Sequence, residues 1–239
     1  MTERIEKTIA FVRRKLAESP YFVEHPEAGA YRLEHTFRVA RIGREIAEKS
    51  GLPVENMVLA CLLHDVSYCG ELRSQEEWLD HGRASARIAR PFLEELGLEA
   101  AEIGEICYGI AIHVDDKAEV PGEKSVFAVT VSDADNIDRF DVYRLYETLE
   151  NAGFSAMSLA EKAAYVDGVL PRLEDYLEAA LATPAATALW RDRIGFYLAF
   201  YRRLRDQLAA STMDGETPRA PAGETDWEAD SRLGLAGKM

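Results

Sequence analysis

Apolar residues recur at intervals of three and four along most of this chain, which is the period of an amphipathic helix. Residues 2–18 show it first, with apolar side chains at Ile5, Ile9, Val12 and Leu16. The same spacing predicts a second helix at about 31–50, ended by Gly51, because glycine readily takes the left-handed conformation that closes a helix. A third helix begins near Pro53, which suits a first turn, and runs through VENMVLACLLHD.

Two more helices are predicted before residue 115. Asp80 is placed to cap the first of them, HGRASARIARPFLEEL, in which Pro91 predicts a kink or a break. The second spans 99–113 and contains Gly104 and Gly109, which weaken it unless another element packs closely there. Each of these two helices therefore carries a feature that an isolated helix would not favour.

The segment SVFAVTVSDAD is ambiguous. Its β-branched residues favour a strand by propensity. No second segment of the chain is a convincing strand, and a lone strand would leave its backbone groups without partners. We therefore predict a helix here and an all-α fold for the chain as a whole.

The helical pattern continues beyond residue 140. Ser158 and Glu161 form a capping-box pattern, and Thr183–Pro184 opens a long last helix with a heptad-like apolar seam. We expect this seam to pack on the chain's own core, with a homodimer contact as the alternative. The seam consists of Trp190, Ile194, Tyr197, Tyr201, Leu204 and Leu208.

The end of the chain differs in composition from the rest. Residues 211–239 are polar and rich in glycine and proline, which predicts a flexible tail. The remainder, residues 1–210, is predicted to form one all-helical domain. Within it, the residues that carry recognisable chemistry lie at about 20–140, and the C-terminal helices lie at about 141–210.

The composition argues against several classes of protein. A formal charge of −14 over 239 residues argues against long nucleic acid as a partner, since neutralising phosphates needs a basic surface. No window approaches the ~20 apolar residues of a membrane span, and the charged N-terminus lacks the apolar core of a signal peptide. The three cysteines cannot all pair and form no CxxC motif, which indicates reduced thiols and a cytoplasmic protein.

Histidine is rare in this chain, and most of its copies stand on or at the ends of apolar helical segments. Four of the five are His35, His64, His81 and His113. Aspartates stand in similar places, at Asp65, Asp133, Asp135 and Asp138. Each residue alone has an ordinary explanation as a core histidine or a helix cap. Together they indicate a shared polar centre whose imidazoles and carboxylates suit Mn, Fe, Ni, Co or Mg.

The order His35, His64–Asp65, Asp133 resembles the HD-domain superfamily of metal-dependent phosphohydrolases. The likeness extends over roughly residues 20–140. EHTFRVARIGREIAE is similar to the first ligand helix of the family, LACLLHDV to its HD helix, and HGRASARIARPFL, IAIHVDD and VSDADNID to the segments that follow. The resemblance implies that these four residues hold a divalent metal ion.

The resemblance also assigns the remaining histidines. His81 and His113 match positions that hold a second ion in the dinuclear members of the superfamily and contact substrate phosphate in others. Asp65, as a carboxylate, can bridge two ions. A divalent site, with a second beside it, is therefore the cofactor that the resemblance implies.

Hydrolysis of a small phosphorylated substrate follows from the same likeness, with a metal-activated water attacking the phosphorus of a phosphoester or phosphoanhydride. A nucleotide is the expected substrate. Arg38, Arg83 and Lys117 are candidate phosphate clamps. Asp65 and Arg38 are candidate catalytic residues, and Asp135 is a candidate base or a partner of a metal ligand.

Two other functions stay open. The same ligand order occurs in the di-iron oxygenases of this superfamily, which cleave C–C or C–P bonds with O₂. A non-catalytic metal or nucleotide sensor is the third class. The chain also departs from some relatives, because Tyr68 stands where the nucleoside monophosphatases carry a glutamate. The sequence therefore does not assign the leaving group.

Overall fold

The chain is all-α, as predicted. A computed structural model describes residues 1–70, 74–114 and 120–212, and no strand occurs within these ranges. Two short 3-10 helices, Val66–Cys69 and Phe154–Ala156, accompany the α-helices. The α-helices of the described residues are α1 (Glu3–Ala17), α2 (Pro20–Glu24), α3 (Pro26–Ser50), α4 (Val54–Leu63), α5 (Gln75–Glu95), α6 (Ala100–Ile112), α7 (Val126–Asp138), α8 (Val142–Asn151), α9 (Leu159–Glu178) and α10 (Pro184–Ala209).

The chain divides into two compact units. Of the described residues, the first unit contains those within 1–138 and 181–186, and the second contains those within 139–180 and 187–212. In the first unit α4 is the central helix, in contact with α1, α3, α6 and α7. Every residue of α4 from Asn56 to Leu63 is buried, which explains why this segment is apolar on all sides rather than on one face.

The segment VFAVTV, which follows Ser125, is helical and forms the first half of α7, which confirms the prediction made against its strand propensity. Gly109 of α6 explains part of this packing. A Cβ atom on Gly109 would lie 3.2 Å from the Cα atom of Ala128 and 3.0 Å from Cγ2 of Val131. The glycine therefore lets α6 and α7 approach closely, and burial against α6 outweighs the propensity of the β-branched residues.

The N-cap predicted for α5 was wrong, and the helix has no break at Pro91. The helix begins earlier than expected, with the hydroxyl of Ser74 accepting a hydrogen bond from the backbone N–H of Glu77. Asp80 lies inside the helix and pairs with Arg83 and Arg87 instead of capping it. The helix also continues through Pro91 without a break. Pro91 is exposed, so its ring lies on the solvent side, where the lost hydrogen bond can be replaced by water.

The second unit is held by aromatic side chains. Phe140 packs edge-on against Tyr176, Trp190 and Tyr197, with ring centroids 5.0–5.8 Å apart. The indole of Trp190 also donates a hydrogen bond of 2.6 Å to the carbonyl of Tyr176. The capping box of Ser158 and Glu161 is present at the start of α9. The predicted seam of α10 is buried except at Leu204, which is half-buried, so it packs on the chain's own core.

Some sequence-based expectations lie outside the described residues. These are the phosphate-clamp role of Lys117 and the flexible tail, apart from its first residues 211 and 212. The single-domain organisation of residues 1–210 stays a prediction. In the part of the chain that the structure describes, no helix is both long and apolar enough to cross a membrane.

A pair of glycine substitutions tests the close packing around α5 and α6. A Cβ atom on Gly82 would lie 2.9 Å from the carbonyl oxygens of Ile110 and Ala111. We expect Gly82→Ala to lower the free energy of unfolding by about 1–3 kcal/mol, because backbone atoms would have to move. Gly104→Ala is the matched control, since nothing lies within 4 Å of its added Cβ.

The control should raise the free energy of unfolding by about 0.5–1 kcal/mol, because alanine favours the helix. Urea unfolding of both variants measures the difference. Equal effects of the two substitutions would contradict the close approach of α5 to the end of α6.

Candidate metal centre

Histidines and aspartates from five helical segments meet inside the first unit. His35 comes from the middle of α3, and His64 and Asp65 follow directly after the last residue of α4. His81 lies in α5 and His113 immediately follows α6. His64 is fully buried and Asp65 is 4% exposed. The apolar run of α4 thus ends in the core, and the two polar residues that follow it share the surroundings of the other histidines.

The carboxylate of Asp65 faces two pairs of imidazoles. Its Oδ2 atom lies 3.4 Å from Nε2 of His64 and 3.5 Å from Nε2 of His35. Its Oδ1 atom lies 3.3 Å from Nε2 of His81 and 3.4 Å from Nε2 of His113. Oδ1 is buried and has no hydrogen-bond partner among the described residues. One oxygen of the carboxylate therefore faces the first pair of histidines, and the other oxygen faces the second pair.

Three of these imidazoles are oriented in the same way. Nδ1 of His64 donates to the carbonyl of Cys61, and Nδ1 of His113 donates to that of Ile110, both at 2.7 Å. Nδ1 of His81 makes the same bond to the carbonyl of Trp78. A carbonyl oxygen can only accept, so each Nδ1 carries the proton. In the neutral ring, Nε2 then has a lone pair, and that lone pair is directed toward Asp65.

The electrostatics of the centre favour a cation. Burial lowers the pKa of His64 to about 4, so this imidazole is neutral at pH 7. Burial opposes ionisation of Asp65, yet His64 and the Arg32 guanidinium hold the pKa of this carboxyl well below its usual range. A lone pair and a carboxylate oxygen repel each other unless a positive charge lies between them. The donor set therefore fits a metal ion.

Asp135 extends the cluster from α7. Its Oδ1 atom lies 3.2 Å from Nε2 of His35 and 3.8 Å from Nε2 of His64. Two groups of side chains each offer ligand atoms within 4.8 Å of one another: His35, His64 and Asp135, and His64, Asp65 and His113. His64 belongs to both groups, so the two candidate sites adjoin.

Asp138 fixes the orientation of His35. Its Oδ2 atom lies 2.8 Å from Nδ1 of His35. Arg38 donates to both oxygens of Asp138, at 2.8 Å from Nε and 3.2 Å from Nη2. A carboxylate behind a metal-binding imidazole sets its tautomer and strengthens it as a ligand. Burial opposes the charge on His35, but hydrogen bonds with Asp135, Asp138 and Asp65 raise its pKa well above the ordinary value.

The comparison with known families agrees with this geometry. The sequence model of the HD domain family matches residues 32–139, which include all the residues of the cluster. The chain belongs to the HD-domain superfamily. Among curated proteins, no match was found.

A solved structure has the same fold. The crystal structure of a predicted HD superfamily hydrolase from an uncultured Thermotogales bacterium is 20% identical in sequence, with a TM-score of 0.55. The match covers 83% of this chain and 91% of that one. The two proteins therefore share a fold.

Asp133 is not among the residues that the structure brings together around the HD dipeptide. Its Oδ2 atom accepts a hydrogen bond of 2.8 Å from the backbone N–H of Ala182, and burial raises the pKa of Asp133 to about 6. Residues two apart on a helix point about 200° away from each other. Asp135, and not Asp133, therefore faces His35, together with Asp138 one turn later.

The burial of two stripes along α7 accounts for this choice. Ala128, Val131, Asp135 and Asp138 follow one another at intervals of three and four, and the two apolar members of this stripe are fully buried. The stripe that leads to Asp133 starts instead from Val126, which is 50% exposed. Both stripes contain valine, so the burial that distinguishes them is visible only in the structure.

The predicted phosphate clamps of the HD domain have different surroundings. Arg38 pairs with Asp138 behind His35. Arg83 pairs with Asp80 and is 39% exposed, two positions away from His81 and thus on another face of α5. Sequence reasoning missed Arg32, whose guanidinium donates to Oδ2 of Asp65 and is 18% exposed. Its position three residues before His35, on the same face of α3, was the available signal.

Two substitutions in α7 test which aspartate belongs to the HD centre. We expect Asp135→Asn to lower the amount of bound metal, because the carboxylate facing His35 is lost. Asp133→Asn should keep its metal, since an amide oxygen can still accept from Ala182. Elemental analysis of the purified variants measures the difference, with thermal unfolding as the control for folding. Loss of metal from Asp133→Asn alone would restore the assignment made from the sequence.

Proposed function

We propose that this chain is a metal-dependent phosphohydrolase that acts on a phosphoester or phosphoanhydride of a small molecule, with a nucleotide as the expected substrate. Membership in the HD-domain superfamily supports the reaction class. The observation that carries the proposal is the position of Asp65, whose two oxygens face two pairs of imidazoles. Such a carboxylate suits a bridge between two ions.

The residues divide into two sets of ligands. His35, His64, Asp65 and Asp135 would hold one divalent ion. His81 and His113, together with Asp65, would hold the second. When bound, such ions lower the pKa of coordinated water and stabilise the charge that develops on phosphate oxygens.

The protein's own groups prepare the site for this chemistry. Backbone carbonyls hold the protons of His64, His81 and His113 on Nδ1, so each Nε2 stays available as a ligand. Arg38 and Asp138 hold His35 in place. We assign Arg38 as a positioning residue rather than a phosphate clamp.

In this proposal Arg32 binds the phosphate of the substrate. Three carboxylates, those of Asp65, Asp135 and Asp138, outnumber the guanidiniums of Arg32 and Arg38. When the imidazoles are neutral, as metal ligands must be, the chain therefore supplies an excess of negative charge, which suits cations rather than free phosphate. Arg32 lies at Asp65 and its side chain is 18% exposed, so its guanidinium is the candidate contact for an anionic substrate beside the bound metal.

Activity with and without metal tests the proposal. We expect the protein, purified anaerobically with its metal, to release phosphate or pyrophosphate from members of a phosphoester and nucleotide panel. EDTA should abolish the activity and a divalent ion should restore it. His64→Ala and Asp65→Ala should each remove activity, because both serve the central ligand set.

Two results would contradict hydrolysis. Two irons per chain with O₂ consumption and no phosphate release would favour the oxygenase of this superfamily. Nucleotide and metal binding without turnover of either kind would favour a sensor.

The two sets of ligands should respond differently to mutation. We expect His81→Ala and His113→Ala to lower the metal content from two ions toward one per chain, while the first ion stays bound. Turnover should fall about 100-fold or more, as when one half of a two-metal site is lost. Elemental analysis and steady-state kinetics on the same preparations measure both quantities.

Other outcomes identify the alternatives. If the two histidines only contact phosphate, the metal content stays the same and KM rises. If neither quantity changes, the site is mononuclear and both histidines are ordinary buried side chains.

A further inference from the structure

Three aromatic side chains border the histidine cluster, and the metal chemistry does not account for them. The Tyr31 ring is parallel to that of His35, with centroids 6.3 Å apart and planes inclined by 6°. Tyr68 meets His81 edge-on at 5.1 Å, and Trp78 contacts the same imidazole at 6.0 Å. We call Tyr31, Tyr68 and Trp78 the aromatic rim.

The rim is open to solvent. Trp78 is 39% exposed, and Tyr31 and Tyr68 are half-buried, whereas the histidines that they contact are buried. Large aromatic side chains usually bury most of their surface in the core, as Trp190 does at 4% exposure. The rim therefore lies between the buried centre and the solvent, where a substrate would arrive.

A guanidinium lies against two of these rings. The Cζ atom of Arg32 is 3.6 Å from the centroid of Tyr68 and 5.9 Å from that of Tyr31. The same guanidinium donates to Asp65. A guanidinium and two aromatic rings thus adjoin beside His35 and Asp65.

We infer that the aromatic rim stacks against a planar aromatic ring of the substrate, and that Trp78 is a specificity-determining residue. The inference rests on the proposed function for the other end of the substrate, whose phosphate would bind at the metal ligands and Arg32. The substrate class is thereby a phosphate ester or anhydride that carries a heteroaromatic ring, as a nucleotide does.

The chemistry of the rim favours a ring over an aliphatic chain. Aromatic side chains stack on any nucleobase because every base has a π face, and Arg adds a cation–π contribution. An alkyl or lipid phosphate would gain from a groove of aliphatic side chains instead. The rim consists of two tyrosines and a tryptophan, beside a cation.

Binding of a matched pair of ligands tests the inference without turnover. The probes are the unhydrolysable 5′-methylenephosphonate of adenosine and the corresponding methylenephosphonate of ribose, which lacks the base. We expect the adenosine probe to bind the holoprotein about tenfold more tightly, within the range that one stacked base contributes. It should also quench the fluorescence of Trp78, and this quenching should be absent in Trp78→Phe.

Substitutions at Trp78 assign the effect to the ring. In Trp78→Ala the ratio of the two dissociation constants should fall to near one, and the metal content should stay unchanged. Trp78→Leu should behave in the same way, since it keeps an apolar side chain without a π face. Trp78→Phe should retain most of the preference. Leu79→Ala is the matched control, because Leu79 is the next residue of α5 and is 44% exposed.

The outcomes separate this inference from the proposed hydrolysis. If the two probes bind equally and Trp78→Leu changes neither affinity, the stacking role of the aromatic rim is contradicted. Phosphate release from other substrates could still occur in that case. Loss of metal and of both probes in Trp78→Leu would also contradict the stacking role, because the ring would then only pack against the centre. A base preference without any turnover would support the rim and contradict hydrolysis.

Discussion

The buried carboxylate of Asp65 is the group on which the rest of the site depends. A charge taken out of water is costly unless other groups compensate for it. Four imidazoles and the guanidinium of Arg32 surround this one side chain. The helices of the first unit must therefore end or cross at the same point, and α4 must bring a charged residue into the core. Its apolar surface on all sides is what makes that possible.

Helix ends explain why histidines serve this purpose so well. The last carbonyls of a helix have no partner within the helix. His64 and His113, each just after a helix, bond to such carbonyls three residues back. One short-range contact thus satisfies a carbonyl, fixes the tautomer and directs Nε2 to the centre. His81 makes the same contact in the first turns of α5, so a single local arrangement is used on three helices.

A short part of α3 combines several roles. Tyr31 and Arg32 lie one turn before His35, and Arg38 lies one turn after it. The helical spacing places the Tyr31 ring, the Arg32 guanidinium and the side chains of His35 and Arg38 along one face. In the proposed function, the rigidity of α3 would therefore relate the position of the substrate to that of His35.

Much of this protein follows from its sequence, because local pattern and chemistry are recorded there. Apolar periodicity predicted the helices, and the lack of a partner strand predicted α7 against its strand propensity. Four of the five histidines, and Asp65, were singled out because they stand on or at the ends of apolar segments. Tertiary packing decided the rest. Gly109 allows α7 to approach α6, and in the packed helix Asp135 and Asp138 face His35 while Asp133 faces Ala182. Because Ser74 caps α5, Asp80 lies inside the helix, where it pairs with arginines. Spacing along a helix determines which residues share a face, but only contact with neighbouring helices determines which face is turned toward the site.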